Sequence, residues 1–325
     1  MWIVPTLHEL PPWLLLAFAI PFGLAWGSFL NVVIYRLPRG QNVAFPGSRC
    51  PGCSAPIQAR DNVPVLSFLW LRGRARCCGV AISPRYPLVE AIGGLMAVAV
   101  LRLIVGELPG ETPLTRALGL FALYFALGLG LVALALIDLE YMILPDSLTL
   151  GGAALGLASA GFRQVGYWDS ALGAAIGFLL VWLPFDFIYS KLRGHPGMGL
   201  GDAKLTALAG AWFGWPGAVF ALFAGAVQAT LTTVAVFAVH GRIEEPEAVI
   251  REREAVEAAL RDAAPAERAE LEREIARDPL LAAPEGGFGK LRVPFGPFLS
   301  LSVLEYALFG PVAHDGWLSW VVGPW

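Results

Sequence analysis

Charged residues are scarce in this 325-residue chain. The 23 Lys/Arg and 26 Asp/Glu together make 15% of the residues, against about 25% in a typical soluble domain. With 56% hydrophobic residues and a mean hydropathy of +0.62, this scarcity excludes an ordinary soluble domain, a disordered chain and a fibrous repeat. Several apolar runs approach or exceed the roughly 20 residues that cross a bilayer as a helix. The predicted fold class is therefore all-α, a polytopic helical bundle in a membrane.

Eight apolar segments are separated by more polar stretches, and we predict about eight transmembrane helices. No basic residue precedes the first segment and no small-residue cleavage site follows it, which favours a retained helix over a signal peptide. The segments are 12–34, 87–105, 115–137, 147–162, 170–189, 203–214, 216–239 and 295–313.

Basic residues are concentrated in three loops that alternate onto one side. Residues 35–86, 190–204 and 240–293 hold 8, 3 and 9 Lys/Arg, which is 20 of the 23. The positive-inside rule makes that side cytoplasmic and puts both termini outside. Tryptophans map to the opposite edge, where an aromatic belt is expected: Trp2, Trp13, Trp168, Trp212, Trp215, Trp317, Trp320 and Trp325.

These patterns predict five regions in the chain. They are a first transmembrane helix (1–34), a small cytoplasmic loop domain containing cysteines (35–86), a transmembrane core (87–239), a charged cytoplasmic helical insertion (240–293), and a last transmembrane helix with an outer tail (294–325).

The charged insertion carries half of the acidic residues of the chain. Residues 241–290 contain 13 of the 26 Asp/Glu and eight basic residues, in a pattern that predicts helices over 246–263 and 265–277. A solvated helical hairpin and a surface for partner docking or dimerisation are both compatible with this composition.

Three aspartates fall at the cytoplasmic edge of the predicted helices, namely Asp138, Asp146 and Asp202. Acids in or beside membrane spans are energetically costly, so each requires an explanation. A lone aspartate at a helix boundary is often a cap. Two carboxyl groups that share a proton can instead activate a water and protonate a leaving amine, which is aspartic-protease chemistry.

Two glycines and a lysine flank Asp202. Gly199 and Gly201 permit backbone conformations closed to other residues and allow another chain to approach closely. Lys204 has three interpretations: it biases the charge of the carboxyl pair, binds the scissile carbonyl, or extends to the membrane interface.

Five motifs together resemble those of bacterial type IV prepilin peptidases, whose GxGD motif matches residues 199–202. The other motifs are residues 27–38 (GSFLNVVIYRLP), 82–90 (ISPRYPLVE), 137–150 (IDLEYMILPDSLTL) and 294–299 (PFGPFL). The resemblance implies catalytic roles for Asp138 and Asp202 and supporting roles for Asp146, Gly199, Gly201 and Lys204.

The resemblance also implies substrates, a methyl donor and a location. Such enzymes sit in the bacterial inner membrane with the active site facing the cytoplasm, in contact with lipid. They remove the basic leader of prepilins, or of pseudopilins of type II secretion systems, after a glycine. They then N-methylate the new terminal residue with S-adenosylmethionine. No nucleic-acid partner is expected.

Four cysteines lie within 29 residues, which favours a metal site over a disulfide framework. Cys50 and Cys53 have the spacing of half a zinc knuckle, and the zinc would be structural. The resembled family carries a second CxxC, of which Cys78 matches the last cysteine while Ala75 replaces the first. Cys77 is displaced by two residues, and adjacent cysteines tend to diverge. A four-cysteine site, a three-cysteine site and free thiols all remain open.

Two other functions are compatible with the sequence. One is a peptidase without methyltransferase activity, since some members of the resembled family only cleave. A transporter that uses Asp138 and Asp202 to carry a coupling ion belongs to a different class.

Overall fold

The computed structural model describes residues 6, 9–193, 197–241, 246–263, 268, 275 and 293–321, with the side chains of 262 and 311–321 excepted. The chain divides into two compact units, Met1–Ala133 with Leu304–Trp325, and Leu134–Val303. Helices dominate both units. The predicted second insertion helix, 265–277, lies outside the described residues apart from 268 and 275.

The first unit contains helices α1 to α3 and most of α4. Helix α1 spans Pro12–Arg36, and the short α2 spans Leu66–Trp70. Helix α3 spans Arg85–Val100 and continues into a π-helical turn, Leu101–Val105. Helix α4, Leu114–Tyr141, runs across the unit boundary.

Glycines allow α1 and α3 to pack backbone against backbone. A methyl group built on Gly23 would lie 2.5 Å from the Gly93 carbonyl oxygen, and one on Gly93 would lie 2.7 Å from the Gly27 Cα. The Asn31 amide of α1 donates a hydrogen bond to the Tyr86 carbonyl of α3 at 3.1 Å. A polar side chain in the membrane therefore joins two helices, as is common in helical membrane proteins.

The second unit contains helices α5 to α9 and the start of α10. Helix α5 spans Asp146–Ala158. Helix α6 spans Tyr167–Val181 and continues through the π-helical Trp182–Ile188 into α7, Tyr189–Arg193. Helix α8 spans Leu200–His240, α9 Glu247–Asp262, and α10 Gly296–Val321.

Small residues also set the packing of α8. A methyl group on Gly210 would collide with the Gly173 carbonyl of α6, and one on Gly177 would collide with the Thr206 carbonyl. On the α5 side, a methyl group on Gly152 would lie 2.5 Å from the Leu208 Cδ1. The glycine pairs of α5 and α6 are therefore sites of close helix packing.

Helix α8 is broken at Gly214, which has φ 69° and ψ −173°. The break leaves carbonyl groups without helical partners, and such groups need other donors. The Arg163 guanidinium donates to the carbonyls of Trp212 and Ala211, and the Ser170 hydroxyl also donates to Ala211 at 2.6 Å. Arg163 therefore stabilises the break in α8. This explains why a basic residue lies on the side of the membrane that was predicted to contain few of them.

The predicted fold class, a helical membrane bundle, is confirmed. Each of the eight predicted segments coincides with a helix, the sixth and seventh being the two halves of α8. Within the described residues, five helices are long and apolar enough to cross a membrane by length and composition.

The predicted aromatic belt is wrong for Trp212. Its side chain is fully buried, its indole N–H donates to the Gly152 carbonyl at 2.9 Å, and the Arg163 guanidinium lies 4.6 Å from its ring. Trp212 therefore closes the helix break rather than facing lipid. Trp168 and Trp215 are exposed, whereas Trp2 and Trp325 lie outside the described residues.

Candidate active site and thiol cluster

Asp138 lies one turn before the end of α4 and is 5% exposed. Its Oδ2 accepts a hydrogen bond from the backbone N–H of Gly296 at 2.9 Å. Gly296 is the first residue of α10, and the amino end of a helix carries partial positive charge that favours a carboxylate. Asp138 is therefore held by the start of a helix 158 residues further along the chain.

Asp202 lies in the first turn of α8 and is partly buried. Its carboxyl group accepts a hydrogen bond from the backbone of Gly199, the residue that caps α8. The Asp202 N–H donates to the Gly199 carbonyl at 3.1 Å. The bond from the Gly199 backbone to the Asp202 carboxyl group is the half of a capping box that a glycine N-cap allows, and it holds the carboxyl group at the helix start.

The second unit brings the two aspartates together. The carboxyl groups of Asp138 and Asp202 are close enough for their charges to interact. The Leu144 side chain packs against both Gly201, which precedes Asp202, and Gly296, which binds Asp138. Two carboxyl groups whose charges interact suit acid–base chemistry in which one is protonated while the other is ionised.

Asp146 and Lys204 form an ion pair at the same edge. The Lys204 Nζ lies 2.6 Å from the Asp146 Oδ1, which joins the first turns of α8 and α5. The Lys204 side chain is 17% exposed, and that of Asp146 is 61% exposed. None of the three interpretations of Lys204 predicted an ion pair with Asp146.

Neither glycine of the GLGD turn has unusual backbone angles, and close packing calls for a small residue only at Gly201. Gly199 has φ −70° and ψ 145°, and Gly201 is likewise not among the residues with positive φ. The expectation of conformations closed to other residues is wrong for both. Close approach holds for Gly201, because a methyl group there would lie 3.0 Å from the Leu144 Cβ.

Sequence reasoning overlooked Gly296 as a partner of Asp138. A methyl group on Gly296 would lie 2.7 Å from the Asp138 Oδ2, so only glycine fits beside the carboxylate. The signal was present in the PFGPFL motif of residues 294–299, but the motif alone does not give the partner.

The cysteines of the first unit lie on two turns with the same hydrogen-bond pattern. In the first turn, Cys50 N–H donates to the Ala55 carbonyl and Ser54 N–H donates to the Cys50 carbonyl. In the second turn, each bond recurs 25 residues later, from Ala75 to Val80 and from Gly79 to Ala75. Isolated bridges Arg49–Pro56 and Arg74–Ala81 close the two turns. Ala75 therefore occupies the place of Cys50 in its own turn.

The four sulfur atoms converge despite that substitution. The Sγ atoms lie 3.6 Å apart for Cys50 and Cys78, 3.3 Å for Cys53 and Cys77, and 4.0 Å for Cys77 and Cys78. All four lie within 4.8 Å of one another. The expected divergence of the adjacent cysteines is wrong here, because the tight second turn directs both side chains inward.

The thiols have unequal acidity. Backbone N–H groups of Gly52 and Cys53 lower the pKa of Cys50 to about 6. Hydrogen bonds with Cys53 and Cys50 raise the pKa of Cys77 to about 12. Cys50 is thus the more acidic thiol of the two, and a bound metal would displace the protons of its ligands.

The geometry of the cluster suits a single metal ion. Tetrahedral zinc with Zn–S bonds of about 2.3 Å requires sulfur atoms about 3.8 Å apart, near the observed separations. Cys50 is the one buried residue among residues 37–84, all of which the structure describes. The loop therefore has no hydrophobic core of its own and needs another source of stability.

The fold and the site define a class: a polytopic helical membrane protein with two carboxyl groups paired at helix ends. Comparisons with known proteins narrow that class. Residues 21–103 match the bacterial peptidase A24 N-terminal domain, and residues 125–234 match the type IV leader peptidase family. No solved structure matches the chain.

Three similar relatives carry the name prepilin leader peptidase/N-methyltransferase. The protein of Klebsiella pneumoniae is 41% identical over 220 residues, covering 66% of this chain and 91% of its own. That of Aeromonas hydrophila is 40% identical over 232 residues, covering 63% and 75%. That of Burkholderia pseudomallei strain 1026b is 37% identical over 272 residues, covering 73% and 82%. The chain belongs to the type IV prepilin leader peptidase family, and the sequence resemblance is confirmed.

Proposed function

We propose that this chain is a membrane aspartyl endopeptidase that removes the leader of type IV prepilins or pseudopilins and N-methylates the new terminal residue. Membership of the family supports the two activities. The assignment of residues rests on one observation, which is the pairing of the Asp138 and Asp202 carboxyl groups at one edge of the second unit.

In the proposed cleavage, the carboxyl pair holds a single proton. The ionised carboxylate takes a proton from water as the water oxygen attacks the scissile carbonyl carbon, and the protonated carboxyl donates its proton to the carbonyl oxygen. The tetrahedral intermediate then collapses as the C–N bond breaks, and the amine leaves with the proton that came from water. One hydroxyl group of the intermediate returns its proton to the other carboxylate, which restores the singly protonated pair and leaves the new carboxyl terminus. The bonds from Gly296 and Gly199 hold both carboxyl groups in place, so little reorganisation accompanies the reaction.

The supporting residues keep the aspartates at their helix ends. Gly201 admits Leu144, Gly199 binds Asp202, and the pair of Lys204 with Asp146 joins α8 to α5. Asp146 and Lys204 act in this proposal through the helices they join.

The substrate enters from the cytoplasmic side of the bacterial inner membrane in this proposal. The distribution of Lys/Arg supports that orientation, because 20 of the 23 fall in loops on the side that carries the aspartates,. A basic leader stays on that side, so the bond that is cut lies at the cytoplasmic edge of the substrate helix.

We also infer that the thiol cluster holds one structural zinc ion. Cys50, Cys53, Cys77 and Cys78 would be its ligands. A bound zinc would cross-link two turns in a loop that lacks a hydrophobic core, and small domains of this kind fold on binding metal. S-adenosylmethionine is the methyl donor that N-methylation by this family implies, and it is a co-substrate of the second activity.

The decisive experiment is cleavage of a prepilin-like peptide by detergent-solubilised enzyme. The peptide carries a basic leader, glycine before the cut and phenylalanine after it. Asp138→Asn and Asp202→Asn should each reduce cleavage by at least about 1,000-fold, because neither carboxyl group can perform both proton transfers alone. Mass spectrometry of the product should show a methyl group on the phenylalanine.

Asp186→Asn is the matched control, since Asp186 is an aspartate of the same unit in the π-helical Trp182–Ile188. It should leave cleavage near the wild-type rate. Cleavage that survives either Asp138→Asn or Asp202→Asn would contradict the catalytic assignment and would reopen the transporter interpretation.

A further inference from the structure

The side chain of Leu144 contacts the first turns of two helices: α8, which carries Asp202, and α10, whose first residue binds Asp138. It belongs to the short connection from α4 to α5, and it is half-buried. Its neighbours on opposite sides are the residue that precedes Asp202 and the residue that binds Asp138.

On the Asp138 side, Leu144 packs against the start of α10. A methyl group on Gly296 would lie 2.9 Å from the Leu144 Cδ2 and 2.7 Å from the Asp138 Oδ2. One backbone position therefore touches both the leucine and the carboxylate. A shift of the leucine would move the N–H group that holds Asp138.

On the Asp202 side, Leu144 packs against the start of α8. A methyl group on Gly201 would lie 3.0 Å from the Leu144 Cβ and 3.2 Å from its Cδ1. The absence of a side chain at Gly201 lets the leucine stem touch the α8 backbone directly. The volume of the leucine thus separates the backbone beside Asp202 from the backbone that binds Asp138.

The backbone of the connection holds Leu144 firmly. Met142 has φ 54°, and its N–H donates to the Asp138 carbonyl at 2.8 Å. Pro145 caps α5, and its carbonyl accepts from Leu148 and Thr149 at 3.0 and 3.1 Å. Leu144 is therefore fixed between the end of one helix and the start of the next.

We propose that Leu144 is a positioning residue that sets the separation of the Asp138 and Asp202 carboxyl groups. The inference rests on the proposed peptidase function. The leucine side chain has no ionisable group and forms no hydrogen bond. It therefore acts on the distance between the carboxyl groups and not on their charge. A misplacement of about 1 Å at a catalytic group can cost about 100-fold in rate.

The test measures kcat and KM for prepilin cleavage in Leu144→Ala, Leu144→Met and Leu150→Ala. Leu144→Ala should lower kcat by about 10- to 100-fold with KM within about twofold of wild type, because the change affects the reacting groups and not the binding of substrate. Leu144→Met restores the volume and should stay within about threefold of wild type. Leu150→Ala removes an exposed leucine of α5, 48% exposed, and should leave kcat unchanged.

Gly156→Ala serves as a stability control, because its methyl group would lie 2.7 Å from Trp212 Cδ1, at the other end of α5. If Leu144→Ala acts only by loosening the fold, Gly156→Ala will lower kcat equally for the same fall in melting temperature. That result would overturn the proposal, as would a wild-type kcat in Leu144→Ala or failure of Leu144→Met to restore it. If Asp138→Asn or Asp202→Asn retains cleavage, the proposed function itself fails.

Discussion

The thiol cluster and the carboxylate pair both gather acidic side chains, but by different means. The carboxylates stand on helix ends, where backbone N–H groups of Gly296 and Gly199 bind them. The thiols stand on two hydrogen-bonded turns in a loop where Cys50 alone is buried among residues 37–84. Helix packing thus fixes the carboxylate pair. The thiol cluster lacks such packing and would depend on the metal ion proposed above.

This difference teaches which substitutions each cluster tolerates. The carboxylate pair should be sensitive to added volume at Gly296, the glycine that lies tightly against Asp138. The thiol cluster does not require a cysteine at position 75, because Cys77 supplies the sulfur atom that Ala75 lacks. Variants of the two clusters should therefore affect different measured properties.

Among variants that keep both aspartates, the largest expected effect follows from Gly296→Ala. The methyl group would lie 2.7 Å from the Asp138 Oδ2 and would push the carboxylate off its N–H donor. Prepilin cleavage should fall by about 100-fold or more, as measured by initial rates in detergent. Gly151→Ala is the control, since nothing lies within 4 Å of a methyl group there. Equal rates in the two variants would show that the Gly296 contact is unimportant.

Cys50→Ser should separate the two clusters. Purified wild type is expected to carry about one zinc ion per chain, and the variant close to none. We assign the methylation step to the loop in this prediction, so N-methylation of the cleaved product should fall by about tenfold or more. Cleavage should change by less than about threefold, because the proposed metal would stabilise the loop and not the carboxylate pair, which lies in the other unit,. Metal analysis with mass spectrometry of the product measures all three quantities. A zinc-free wild type, or equal losses of both activities, would contradict the separation.

The tolerance of the thiol cluster predicts a rescue. Cys77→Ser should weaken zinc binding by about tenfold or more. Adding Ala75→Cys should restore it, because Ala75 has the hydrogen bonds that Cys50 has in the first turn. Competition with a chromogenic chelator measures the affinity. Failure of the double variant to bind more tightly than Cys77→Ser would show that the two turns are not equivalent as ligand sites.

The smallest effect is expected from Lys204→Met. The partner carboxylate of Asp146 is 61% exposed, so solvent screens the ion pair, and the free energy of unfolding should change by about 0.2–1 kcal/mol. Cleavage should stay within about twofold of wild type if Lys204 acts only through Asp146. A much larger fall in kcat, with Asp146→Asn near wild type, would assign Lys204 to the carboxylate pair instead.

Helix positions followed from the sequence because apolar length alone determines them. The eight segments and the three edge aspartates could be read without a structure, and the resemblance named the catalytic candidates. The contacts of those aspartates could not be read, because they depend on how helices distant in sequence meet. Gly296 and Leu144 acquire their roles only when α4, α8 and α10 are packed together.

Two further features could not be predicted from the sequence for a different reason. Trp212 was expected at the lipid interface, but the break at Gly214 leaves carbonyls that Arg163 fills, and Trp212 packs beneath that guanidinium. Cys77 was expected to diverge from Cys78, but the turn closed by Arg74 and Ala81 directs both sulfurs inward. Local backbone geometry decided both cases, and residue spacing does not encode it.

The bond between Asp138 and Gly296 has a consequence for biosynthesis. The ribosome makes Asp138 long before it makes the 158th residue after it, which completes its environment. At about 5–20 residues per second, the interval is roughly 8 to 30 s. During that time the charged insertion must be synthesised before α10 can enter the membrane. The chain should therefore be inactive as a protease until its last helix has been synthesised and inserted.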